Sequence, residues 1–149
     1  MSGTFELSYG TCVALADKAA ILQGPPGSGK SDLALRFIFG TPEALKPALI
    51  SDDQVRLTVN SGRLIASPPE TIAGRIEVRG LGILDVPYQA EAEVKLLVEL
   101  ADAKDVPRLP PSPLPRRELC GIALPALVLT PFEASAPLKL RLALQAIGS

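Results

Sequence analysis

Gly24-Pro-Pro-Gly27-Ser28-Gly29-Lys30-Ser31 has the spacing G-x-x-x-x-G-K-[ST], which makes a phosphate cradle. In such a loop consecutive backbone N–H groups point inward, the lysine lies beside the β- and γ-phosphates, and the final hydroxyl reaches Mg²⁺. The flanks agree with this reading. Ala19-Ala-Ile-Leu-Gln23 reads as a buried strand entering the loop, and residues 31–38 as a helix whose N-terminus faces the phosphates. Pro25 and Pro26 precede the donors expected from Gly27 to Ser31, so neither removes a needed N–H. A glycine-rich turn with an unrelated lysine is the plain alternative, and it leaves the strand–helix context unexplained.

Phosphate chemistry with Mg²⁺ also needs an acidic element, usually at the C-terminal end of a neighbouring strand. Ala48-Leu-Ile-Ser51 followed by Asp52-Asp53 has that form. Adjacent carboxylates on an extended backbone point to opposite sides, so one can serve the metal while the other faces an acceptor. A carboxylate facing a substrate hydroxyl is a general base for phosphoryl transfer. The competing reading is a solvated Asx turn. A further constellation is Ile76-Glu77-Val78-Arg79-Gly80-Leu81-Gly82-Ile83. Alternation puts Glu77 and Arg79 on one face and Ile76 and Val78 on the other. A surface ion pair beside a bulge accounts for that pattern about as well as a site does.

Composition narrows the classes. The 149 residues suit one domain, and an apolar fraction of 47% argues against disorder. A net charge of −1 gives no electrostatic basis for nucleic-acid binding. No apolar run is long enough to span a membrane, and the N-terminus has no basic or apolar signal region, so a cytoplasmic protein is expected. The chain has no histidine, which excludes Ser-His-Asp and Cys-His catalysis and histidine metal sites. Cys12 and Cys120 read as small buried hydrophobes in a reducing compartment.

The remaining elements must position these groups. Residues 11–15 and 19–23 form a hairpin, as do 54–59 and 63–66 around Asn60-Ser-Gly62. Strands are expected at 81–86, 93–100 and 124–130. Pro107 to Pro115 is too proline-rich for helix or central strand and should be an extended loop. Pro137 argues for a turn at 130–135, then a helix over 137–147 with Leu140, Leu144 and Ile147 on one face.

Gly24–Ser31 with Asp32-Leu-Ala-Leu-Arg36, then Leu49-Ile-Ser-Asp52-Asp53, then Glu77-Val-Arg79-Gly-Leu-Gly-Ile83 together resemble the catalytic domain of the bacterial HPr kinase/phosphorylase family. The Glu-Val-Arg-Gly-Leu-Gly-Ile segment is the most specific part of the match, which runs in order over roughly residues 8–86. Pro131 to Leu144 is similar to the short, single-domain alphaproteobacterial members, so one catalytic domain over residues 1–149, without the N-terminal domain of full-length members, is expected. The resemblance implies an α/β P-loop kinase fold with a mixed β-sheet, like the phosphoenolpyruvate carboxykinase nucleotide-binding core. It implies ATP and Mg²⁺ as cofactors, a serine of the phosphocarrier protein HPr as acceptor, phosphorolysis in reverse, and a homo-oligomer, since full-length members are hexamers.

By position, the resemblance gives Gly24, Gly27, Ser28, Gly29, Lys30 and Ser31 to the nucleotide, and Ser31, Asp52 and Glu77 to the metal. It gives Asp53 the role of catalytic base and acid, and Arg79 a part in phosphorolysis. Where the family carries a histidine beside the catalytic aspartate, this chain has Tyr9. Tyrosine can donate a hydrogen bond to Asp53 but cannot share a charge with it near neutral pH.

Other readings stay open. One is a small-molecule P-loop kinase, with Arg108, Arg116 and Arg117 serving as lid or acceptor groups; in the protein-kinase reading, Arg116 and Arg117 steer a docking carrier instead. Another is a catalytically impaired nucleotide-sensing module, suggested by Tyr9.

Overall fold

Short apolar runs punctuated by Gly, Asn and Asp build strands, and the computed structural model, which describes residues 5–147, has eleven among those residues. They are β1 (Glu6–Tyr9), β2 (Thr11–Leu15), β3 (Lys18–Gln23), β4 (Pro47–Ser51), β5 (Gln54–Asn60), β6 (Arg63–Ser67), β7 (Arg75–Val78), β8 (Gly82–Asp85), β9 (Ala92–Leu100), β10 (Arg116–Leu119) and β11 (Ile122–Leu129). The helices are α1 (Lys30–Gly40) and α2 (Ala136–Ala146).

One nine-stranded sheet runs in the order β1-β5-β6-β9-β3-β2-β4, with β11 also joining β9 and β10 pairing with β11. Its mixed pairing decides where the loops fall. β3 and β11 both lie parallel to β9, while β2 is antiparallel to both β3 and β4. It follows that β3, β4, β9 and β11 all point the same way. Their carboxyl ends, carrying the residue 24–29 loop, Asp52-Asp53 and the residue 130–135 turn, gather at one edge with Thr11 at the start of β2. Ligand sites of open α/β sheets sit at such an edge.

Both faces of the central strands are buried, which is why they read as nearly continuous apolar runs rather than alternating ones. Val13, Ala20, Leu22, Leu49, Leu96 and Val98 face α1 and α2, meeting Leu33, Phe37, Leu140 and Leu144. The alternate residues Cys12, Ala14, Ala19, Ile21 and Leu97 face a second core with Val55, Leu57, Leu64 and Ala126. That second core is made of strand residues alone, so β5, β6 and β11 must curl over it. Lys18 donates to the carbonyl of Leu144 in the last turn of α2 and to that of Ile147 just beyond it, and so caps that helix against the sheet.

The expected hairpins form: Thr11–Leu15 pairs with Lys18–Gln23, and Gln54–Asn60 with Arg63–Ser67. The expected α2 forms one residue earlier than its proline suggested, with Pro137 in its first turn where the missing N–H costs nothing. Residues 107–115 contain no strand or helix. The strand β10 was not expected. Arg116, Arg117 and Glu118 follow the proline-rich segment and no element is expected there, yet an edge strand needs only one paired side, and Cys120-Gly121 closes a tight turn onto β11. Strand β1 was likewise not expected, and its pairing with β5 brings Tyr9 opposite Gln54. No helix among the described residues is long and apolar enough to cross a membrane.

Phe37 is fully buried between α1 and the sheet. Phe37→Ala should lower unfolding free energy by about 3–5 kcal/mol in urea titration. A loss below about 1 kcal/mol would mean that α1 is not packed as described.

Candidate active site

The residue 24–29 loop leaves β3 and turns into α1 with Gly29 as its cap, in the left-handed region at φ 98°. A side chain there is excluded twice over. The backbone conformation is one L-residues avoid, and a Cβ would lie 2.9 Å from Cζ of Phe132. At the start of the loop, a Cβ on Gly24 would lie 2.5 Å from Oγ of Ser28, which is tucked beneath it. Lys30 curls back over the loop and its ammonium donates to the carbonyls of Gly24 (2.7 Å) and Pro25 (3.1 Å).

Asp52 sits where β4 ends and is 8% exposed. Its Oδ1 accepts two hydroxyl hydrogen bonds, from Ser31 at 2.8 Å and from the fully buried Thr11 at 2.9 Å. These bonds tie the first turn of α1 to β2 and β4. The next residue goes the other way. Asp53 has φ 72°, a left-handed conformation that aspartate tolerates better than most residues, and its carboxylate is exposed. The turn is held by Gln54 N–H donating to the Asp52 carbonyl (2.8 Å) and Gly10 N–H to the Asp53 carbonyl (3.0 Å). The divergence of the two carboxylates thus comes from a kink, whereas strand alternation alone was the expected cause.

Both aspartates, Thr11, Lys30 and Ser31 line a cleft of about 460 Å³. The opposite wall is the β7–β8 hairpin, which contributes Glu77, Val78 and Arg79. Ile76, 1% exposed, anchors this hairpin in the α1 core, so the alternate residues Glu77 and Arg79 are presented outward. No ion pair joins Glu77 to Arg79 among the described residues, which removes the surface-pair reading. Gly27 and Gly29 line the cleft as well, while Gly24 and Ser28 lie outside its lining.

Three groups stand elsewhere. Tyr9 is 76% exposed, does not line the cleft, and makes no side-chain hydrogen bond to Asp53 among the described residues. Arg117 forms an ion pair with Glu99, and Arg116 donates to the Ala123 carbonyl at 3.3 Å on the β10–β11 hairpin, outside the cleft. The thiols offer no nucleophile. Complete burial raises the pKa of Cys12, and desolvation followed by the Glu6 hydrogen bond and charge pushes Cys120 up to about 11.

Sequence reasoning overlooked Thr11, Arg36 and Phe132. Thr11 is a polar residue opening an apolar strand, a position that signals a partner, but the partner is 41 residues away. No group of three acidic, cysteine or histidine residues among those described could hold a metal alone. A hydroxyl and a carboxylate in contact do supply the sparse hard-oxygen set that suits Mg²⁺ shared with phosphates.

A phosphate loop between a strand and a helix of a mixed sheet, faced by strand-end carboxylates, defines an α/β P-loop kinase core. The chain belongs to the HPr Serine kinase C-terminal domain family, whose model matches residues 4–129. It is 34% identical over 104 residues to HPr kinase/phosphorylase of Clostridium botulinum, covering 65% of this chain and 33% of that protein. It is 38% identical over 79 residues to that of Clostridium tetani, covering 53% of this chain and 24% of the relative. The chain therefore spans about a third or less of the length of these relatives. The fold is similar to the HPr(Ser) kinase/phosphatase of Coxiella burnetii, with a TM-score of 0.79 at 24% identity, over 94% of this chain and 88% of that one.

Thr11→Val removes one of two donors to a buried carboxylate while keeping shape. We expect a stability loss of about 1–3 kcal/mol by denaturant titration. An unchanged midpoint would show that Thr11 does not carry the Asp52 junction.

Proposed function

We propose that this chain is an ATP-dependent serine kinase domain of the HPr kinase/phosphorylase type, working in the cytoplasm on the phosphocarrier HPr or a carrier like it. The observation that carries the reading is the split of Asp52 and Asp53. One carboxylate is buried against the hydroxyl of Ser31, and its neighbour faces an open cleft. The similarity to HPr kinase/phosphorylases supports the choice of acceptor.

In this reading the backbone N–H groups from Gly27 to Ser31 hold the β- and γ-phosphates, joined by the Lys30 ammonium once it leaves the Gly24 and Pro25 carbonyls. Ser31 and Asp52 would hold Mg²⁺, with Glu77, which lines the same cleft, as a further ligand. The bound ion supplies neutralisation of phosphate charge. Asp53 accepts the proton of the acceptor serine as its oxygen attacks the γ-phosphorus and ADP leaves; in phosphorolysis, inorganic phosphate attacks the phosphoserine phosphorus to form pyrophosphate, and Asp53 protonates the departing serine oxygen. Arg79, unpaired with Glu77, offers positive charge to the incoming phosphate in that direction. Residues 1–149 act as one catalytic domain, and the active form is a homo-oligomer.

Lys30→Ala should weaken ATP binding at least tenfold, about 1.4 kcal/mol, in calorimetry. Asp53→Asn should keep ATP binding and slow transfer by about 10²–10⁴. Turnover close to wild type in the asparagine variant would remove the base role.

The exposure of Tyr9, without a bond to Asp53, favours one second reading, a nucleotide-sensing module with impaired transfer. Incubation with labelled ATP, Mg²⁺ and HPr decides between them by the appearance of phosphoserine. Under the kinase reading HPr is labelled. Under the sensor reading it is not, and Tyr9→His should then raise transfer and introduce a titration near about pH 6–7. Efficient turnover of a small hydroxylated metabolite with HPr unmodified would instead make this a small-molecule kinase.

A further inference from the structure

Phe132 is the largest apolar side chain on the cleft wall, and it is 68% exposed. The residues on either side of it are held by hydrogen bonds. Arg36 of α1 donates through Nη2 to the carbonyl of Pro131 and through Nη1 to that of Glu133 (3.2 Å), gripping the residues on both sides of Phe132. The same guanidinium is held in place by Nε donating to Asp32 at 2.9 Å, one helical turn back. Pro131 is buried, and the Glu133 carboxylate is bonded by Lys139 of α2. The turn is fastened to both helices while the ring is left facing the cleft.

The ring's edge meets the phosphate loop at Gly29, where no Cβ would fit. Much of the remaining ring surface is free, and it lines the same cleft as Ser31 and Asp32 in the first turn of α1. A fixed aromatic surface that loses little freedom on contact is the kind of group that stacks a planar ligand. A nucleotide held by its phosphates at this loop carries, one ribose beyond them, a planar base with apolar faces, and Phe132 is the aromatic group that lines the same cleft.

Resting on the nucleotide reading above, we propose that Phe132 is the platform for the nucleobase, with Arg36 as the positioning residue that holds it. The contact is with a π-face, so the site takes purine nucleotides without reading the base edge. The phosphate loop then supplies affinity for the polyphosphate, and Phe132 supplies the preference for a nucleoside attached to it.

Calorimetry on the 149-residue chain with Mg-ATP and with Mg-tripolyphosphate tests this. Phe132→Ala should weaken ATP about tenfold and leave tripolyphosphate within about twofold. Phe132→Tyr should retain the wild-type ATP affinity, and thermal melts should confirm that both variants fold. ATP and tripolyphosphate weakened together in the alanine variant would overturn the platform, making the ring a support for the loop. An unchanged ATP affinity would also overturn it, making the ring a bystander. Both failures leave the phosphate site standing if wild type binds tripolyphosphate; wild type that binds neither ligand would bring down the phosphate site and the platform together.

Discussion

A carboxylate withdrawn from water requires donors, and Asp52 obtains them from two other elements. Thr11 opens β2, Ser31 belongs to the first turn of α1, and Asp52 closes β4. A single oxygen therefore fixes the phosphate loop's exit against two strands of the sheet. Without it the loop would be anchored only through β3 and through the packing of α1. At the next residue the backbone kinks, held by the N–H groups of Gln54 and Gly10, and delivers Asp53 into the open.

This junction works because the strands beneath it are buried on both faces. α1 and α2 cover one side, and the curled strands close over the other. Such strands cannot shift register without repacking both cores, whose side chains differ in size and fit. Their carboxyl ends are thus held level, and three separate loops meet at one edge. The cleft is a consequence of strand direction as much as of any residue within it.

Its outer parts are held differently. The β7–β8 hairpin is a separate two-stranded sheet pinned by Ile76, and the turn carrying Phe132 is fastened by Arg36. The first anchor is a buried side chain and the second is a fork of hydrogen bonds from a partly exposed guanidinium. The inner floor of the cleft is thus built from the central sheet, and its outer parts from side chains that tie a hairpin and a turn to the helices.

Local chemistry was legible in the chain itself. The loop's glycines, lysine and serine carry their geometry within eight consecutive residues, and the apolar strand and helix beside them follow from periodicity. Asp52-Asp53 could be picked out as a strand end, and Glu77–Arg79 by alternation along a strand, although the kink that turns Asp53 away from Asp52 was not foreseen. What lay beyond reach were pairings between distant segments. Thr11 with Asp52, Arg36 with the carbonyls around Phe132, and β10 folding onto β11 through charged residues all depend on where strands end in space. So does the solvent-facing position of Tyr9, which its neighbours in sequence could not foretell. Sequence by itself determined the phosphate loop and the acidic strand end, because short-range backbone geometry is written in adjacent residues. Only the tertiary structure decided which hydroxyls reach Asp52 and which ring faces the cleft, because long-range contacts come from sheet order and direction, which local patterns do not encode.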